Sequence, residues 1–204
     1  MSMFHAMRSL IRGHLENPFK LRWTVQGFGM MRCYFEDDKR FRLNIWDAAL
    51  AVPGVSTIHD HPWHFTSWVV NGWFHNIRFA ALKEGYGLLD DREMFERGWR
   101  RYTYTTIKTG EGGGKRGKID MMWLQAQRVE NYGSGSEYRQ AADEVHMSTY
   151  NNGTVTLNDR TRIGDGAHAK VFWPNGEKWV DAKPREATGI EISRTCNLAL
   201  ENWL

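Results

Sequence analysis

The residues of greatest chemical interest are the histidines of the run Ile58-His59-Asp60-His61-Pro62-Trp63-His64-Phe65. Imidazoles gathered this closely suit metal binding, because a neutral ring offers a nitrogen lone pair near physiological pH. Side chains two apart in a strand share a face, so His59 and His61 can enter one cavity together. The competing reading is a structural pair that caps a strand and hydrogen-bonds its loop. His64, three residues beyond His61 and past the break at Pro62, reads as a pocket residue rather than a ligand. His75 can face either interior or surface, and Asp60 has the opposite strand parity, which points it away from the pair.

Ten Trp, ten Phe and seven Tyr in 204 residues are too many aromatics for a disordered chain, and that length suits one domain with a substantial core. Trp63, Phe65, Trp68, Trp123 and Trp173 are candidate flat walls for an organic ligand. The 27 basic and 24 acidic residues nearly balance, which gives no charge-based case for nucleic-acid binding. Cys33 and Cys196 lie far apart, and no N-terminal stretch has the apolar core of a signal peptide, so a reducing cytoplasm is the expected setting. No apolar run approaches the roughly 18 to 20 residues of a membrane span.

Elements that must position the histidines follow from the periodicities. Met3, Met7, Leu10, Ile11 and Leu15 recur at helical spacing, which predicts one short amphipathic helix before the turn at Asn17-Pro18. Strands are predicted over Leu21 to Val25, Met31 to Phe35, Phe41 to Trp46, Ser67 to Val70, Phe74 to Leu82, Arg101 to Lys108, Ile119 to Gln125, Thr154 to Leu157 and Ala169 to Trp173. Many short strands with few helices favour an all-β antiparallel sandwich or barrel. A later helix is predicted over Leu88 to Glu96, and the tail after Lys183 reads as polar and loosely packed. Beyond the start of the glycine-rich run Gly110 to Gly117, the stretch Gly112 to Lys118 begins like a phosphate-binding loop, but Ile119 stands where that loop needs Ser or Thr, so a basic hairpin tip is the better reading. Arg78 and Arg101, on strand-like segments, are candidates for a substrate carboxylate or phosphate, with solvation as the competing reading.

The run from Gly54 through His59-Asp60-His61 to Gly72 resembles the first motif of the cupins, in which Gly, His-x-His, Glu and Gly follow at set spacings. Gly54 sits one residue closer than the motif asks, and Phe65 or Thr66 occupies the glutamate position. Ala141 to His146 is similar to the second cupin motif, with Ala141 at its Pro, Asp143 at its Gly, His146 at its His and Tyr150 at its Asn. The run His-x-His-Pro-Trp-x-Phe-x-Ser also resembles small cupins of bacteria and their phages. The likeness covers Gly54 to Gly72 and Ala141 to Trp179.

This resemblance implies a double-stranded β-helix, a jelly-roll barrel spanning 19–183 after a helix at 1–18, with an insertion at about 73–140 and a tail at 184–204. It implies a divalent metal on His59, His61 and His146, with iron favoured and nickel, zinc or copper as alternatives, because a three-histidine set is similar to the iron site of cupin thiol dioxygenases. A site without a carboxylate keeps the full charge of the ion, which favours a small anionic or thiol substrate. Tyr150 is then a candidate acid or hydrogen-bond donor, with Trp63, His64, Phe65 and Thr66 around the pocket and Glu144 turned away. A non-catalytic accessory protein that binds a metal or small ligand is the alternative function. Cupins often pair through barrel edges, so a homodimer is expected.

Overall fold

The computed structural model describes residues 3–35, 40–83, 90–107, 116–162, 168–178 and 180–203. Thirteen strands dominate it: β1 Thr24–Gln26, β2 Phe28–Tyr34, β3 Phe41–Ala51, β4 Ile58–His59, β5 Trp63–Asn71, β6 Trp73–Lys83, β7 Arg100–Ile107, β8 Arg116–Gly133, β9 Glu137–Gln140, β10 His146–Tyr150, β11 Thr154–Arg162, β12 Ala169–Pro174 and β13 Arg185–Glu186. Helices α1 Met3–Glu16, α2 Asp91–Glu96 and α3 Gly189–Glu201, with a 3-10 turn at Pro18–Lys20, complete the described elements. The strands form two antiparallel sheets. One is seven-stranded in the order β13-β1-β2-β3-β11-β5-β9, and the other closes on itself as β10-β4-β12-β7-β8-β6.

Strand alternation divides the interior into three packed zones. Met31, Cys33, Leu43, Ile45, Val70, Val155 and Leu157 leave the seven-stranded sheet on one face and are covered by Ile11 and Leu15 of α1 and by Ile192, Cys196 and Ala199 of α3. Ile58, Leu124, Val145 and Phe172 pack within the closed sheet. Phe65, Val69 and Tyr138 from the open sheet meet Phe74, Tyr132 and Tyr150 from the closed one, and this third zone joins the two sheets. The inner face of the open sheet is unusually polar, with Asn44 bonding Thr156 at 3.0 Å and Asn158 at 3.1 Å, and Ser67 bonding Asn158 at 3.0 Å.

Two sequence expectations change here. The segment after Lys183 is not a loose tail: Thr188 and Glu191 close a capping box at the start of α3, and the helix then buries a face of the core. Short strands β4, β9, β10 and β13 join the predicted set. The segment 73–140 supplies β6, β7 and β8 of the closed sheet and β9 of the open one. The N-terminal part of the predicted second helix, the glycine-rich stretch before Arg116 and Trp179 lie outside the described residues. Cys33 and Cys196 are both buried free thiols. Among the described residues no helix is long and apolar enough to cross a membrane.

Candidate metal centre

Three different kinds of backbone carry the three histidines. His59 ends β4, where it pairs in register with Val171 of β12 and with His146 of β10. His61 lies beyond the strand and is held by its neighbours: the Asp143 N–H donates to the His61 carbonyl at 3.1 Å, and the Asp60 N–H donates to the Lys170 carbonyl at 3.1 Å. His146 begins β10 and pairs with Arg78 of β6 on its other side. The loop from Asp60 to Pro62 is therefore fixed from two directions, by β12 and by the turn that leads into β10.

Each ring offers one nitrogen to a common point, with all three ligand atoms within 4.8 Å of one another. Among the described residues this is the one group of His, Cys, Asp and Glu with that geometry. His59 Nδ1–H donates to the Thr57 carbonyl at 2.8 Å and His146 Nδ1–H to Asn76 Oδ1 at 2.7 Å, which leaves each Nε2 with a bare lone pair. His61 Nε2 stands 3.0 Å from His146 Nε2. One proton shared between those two nitrogens leaves the His59 lone pair unused, whereas a metal ion drawing the rings together would use all three. Two bonds of about 2.0–2.1 Å reach nitrogens up to about 4.2 Å apart, so the 3.0 Å separation would let both rings hold one ion.

The tautomer of His146 is set by a chain of one-way hydrogen bonds. Arg78 pairs with the Glu144 carboxylate, which accepts from Gln140 Nε2 at 3.0 Å. Gln140 Oε1 accepts from Asn76 Nδ2 at 3.0 Å, so Asn76 presents its oxygen to His146. A carboxylate only accepts, and that fixes the direction of every bond back to the imidazole. Burial pushes His59 below the ordinary imidazole pKa, with the Thr57 bond opposing and Arg42 assisting, and pushes His61 and His146 well below it, where repulsion from neighbouring rings and from Arg42 adds to the effect. The rings are thereby held neutral, the form a metal needs.

Aromatic rings enclose the cluster. Phe28 stacks on His59 at 5.7 Å, Trp63 on His61 at 5.4 Å, and Phe65 meets His61 edge-on at 5.2 Å. Of the two residues at the expected carboxylate position, Phe65 faces the cluster. Thr66 and the exposed His64 sit on the opposite face of β5, so neither is a pocket residue; His64 Nδ1 instead accepts from the Ala142 N–H at 3.1 Å. Trp68 is on that outer face too, bonded to Glu137 at 3.0 Å, and does not line the site.

Other candidates have different roles. Asp60 is not a surface group: it is fully buried and bonded to Lys170 Nζ at 2.8 Å, and burial raises its carboxyl while the Lys170 bonds oppose the rise. Arg78 is not solvated, since Glu130 at 2.7 Å and Glu144 occupy it. His75 bonds Asn131 away from the cluster. Tyr150 packs on Trp46 at 4.8 Å and donates to the Phe28 carbonyl at 3.2 Å, four residues along β10 from His146. Thr57, Phe28, Asn76 and Gln140 escaped notice in the sequence, although Asn76 shares a strand face with Phe74, where a polar residue signals a buried bond.

No known protein-family model matches the chain, and no curated protein matches it.

Proposed function

We propose that the chain is a mononuclear metalloprotein of the cupin type that holds one divalent ion on His59, His61 and His146, with iron favoured over nickel, zinc and copper, and that it acts as an oxygenase on a small anionic or thiol substrate. The observation that carries the reading is the convergence of three neutral imidazoles, two with Nδ1 already committed to an oxygen acceptor. When bound, the ion supplies Lewis acidity and open coordination positions for substrate. The Thr57 carbonyl and Asn76 orient the rings, and Phe28, Trp63 and Phe65 exclude water around them. Tyr150 is given no proton transfer, because its hydroxyl is directed to the Phe28 carbonyl.

Backbone conformation supports the cupin reading. Gly54 and Gly72, at the glycine positions of the first motif, have φ of 80° and 79°, and Asp143, at the glycine position of the second, has φ of 61°. Aspartate is among the few residues that tolerate this left-handed region. The test is elemental analysis of protein purified without chelator. About one metal per chain is expected, falling to near zero in His59→Ala, His61→Ala and His146→Ala; stoichiometric metal in all three variants overturns the site. Phe65 in place of a carboxylate favours the second reading, a metal or ligand binder without turnover, which predicts ligand binding with no oxygen consumption across a substrate panel.

A further inference from the structure

Beside the histidine cluster, the inner face of the open sheet carries an accumulation of positive charge. Arg42 on β3 stands opposite Tyr34 of β2 and Asn158 of β11, and Arg32 and Arg160 lie on the flanking strands. The Arg160 guanidinium covers the Trp63 ring at 4.7 Å and the Tyr34 ring at 5.0 Å, and Arg32 lies 5.6 Å from the Tyr34 ring. Trp63 in turn stacks on His61, so this group of charges is one aromatic ring away from the candidate metal centre.

Arg42 is only 6% exposed, and its Nε has no hydrogen-bond partner among the described residues. Among the described residues the indole N–H of Trp63 is likewise buried without an acceptor. Arg32 meets neutral oxygens: Thr24 Oγ1 at 3.3 Å and, with the Gln26 amide turned oxygen-inward, Gln26 at 3.2 Å. Among the described residues neither Arg32 nor Arg42 has a carboxylate partner. A buried charge without a counter-charge is costly, and orphaned donors ask for an acceptor.

We propose that Arg42, with Arg32, Arg160, Tyr34 and Trp63 Nε1, forms a seat for one small oxyanion, a carboxylate or phosphoryl group, next to the three histidines. Both unpartnered atoms are donors, so the occupant must accept hydrogen bonds, and guanidinium groups match an oxyanion in shape and charge. Burial lowers Arg32 and Arg160 to about 10. Burial would raise the Tyr34 phenol, but the three guanidiniums together pull it below its ordinary value, which marks the local potential as strongly positive. This reading rests on the proposed metal centre for what the anion does there, as the part of a substrate that anchors it beside the ion, but not for the binding itself.

The test is an NMR titration of the full chain with acetate and, in a separate arm, phosphate, with folding checked by circular dichroism. Saturable binding at one site is expected in at least one arm, and the arm that responds assigns carboxylate or phosphoryl. Arg42→Met should weaken it about tenfold or more, the scale of one lost charged hydrogen bond, while Arg12→Met on α1 leaves it unchanged. Arg160→Met and Tyr34→Phe make the same comparison should Arg42→Met fail to fold. His61→Ala should lose metal yet keep the oxyanion, which separates this site from the metal reading. Absence of binding in both arms, or equal binding by wild type and the folded arginine variants, overturns the seat.

Discussion

His61 and His146, 85 residues apart in sequence, bring their Nε2 atoms to 3.0 Å. Their supports differ: His146 is anchored through Asn76, whereas His61 is placed by its backbone and by aromatic rings. Asn76→Leu removes the acceptor of His146 Nδ1–H while roughly keeping side-chain volume. Metal affinity should fall about 10- to 100-fold, as for other outer partners of ligating histidines, and Gln140→Leu, one bond further out, should cost less. Competitive titration with a chelating dye measures both.

Phe65→Glu places a carboxylate at the cluster. Losing the buried ring should destabilise the metal-free protein by about 3–5 kcal/mol, the range for emptying an aromatic core position, while added divalent metal recovers part of that loss. Thermal melts with and without metal check the pattern. An equal loss in both conditions places Phe65 outside coordinating reach.

Gly29 has φ of 86°, and a Cβ there would lie 2.0 Å from the Tyr150 hydroxyl oxygen. Gly29→Ala should cost about 1–3 kcal/mol from backbone strain, with a further loss from displacing Tyr150. Combining it with Tyr150→Phe removes the hydroxyl clash but not the strain. Urea denaturation of the two single variants and the double variant should therefore show positive coupling.

Glu191 is the strongest acid-sensitive group at the start of α3. Its bonds to Arg185 hold the carboxyl down to about 2 from 4.5, with burial opposing and Thr188 assisting. A depressed carboxyl contributes stability that is complete above the unfolded value of 4.5 and is lost as pH falls through about 2. Glu191→Gln should cost about 1 kcal/mol near neutral pH, the scale of an N-terminal cap. The difference from wild type should shrink as pH falls from 4.5 towards 2. Urea melts of α3-sensitive signal at several pH values follow it.

The all-β character and the pairing of His59 with His61 were legible in the sequence because they depend on local alternation, while His146 joined them only through the resemblance of Ala141 to His146 to the second cupin motif. The face taken by each residue of β5 was not legible, since Pro62 breaks the register and leaves Phe65 and Thr66 equally eligible. Helix α3 was missed although its signals were present: Thr188 and Glu191 at capping-box spacing, then Ile192, Cys196 and Ala199 on one face. Average polarity masked them. The arginine group could not be found by spacing, because Arg32, Arg42 and Arg160 sit on three strands and meet only through sheet pairing.

Strand β10 pairs with β4 on one edge and β6 on the other, and the residue that completes both pairings is His146. The closing seam of the ring and the third histidine of the cluster are therefore the same residue. An ion that needs all three imidazoles recognises only the closed ring, so metal binding would draw on, and reinforce, a long-range joint of the fold. Opening the seam at β10 would release the ion while the face of the seven-stranded sheet under α1 and α3 stayed packed.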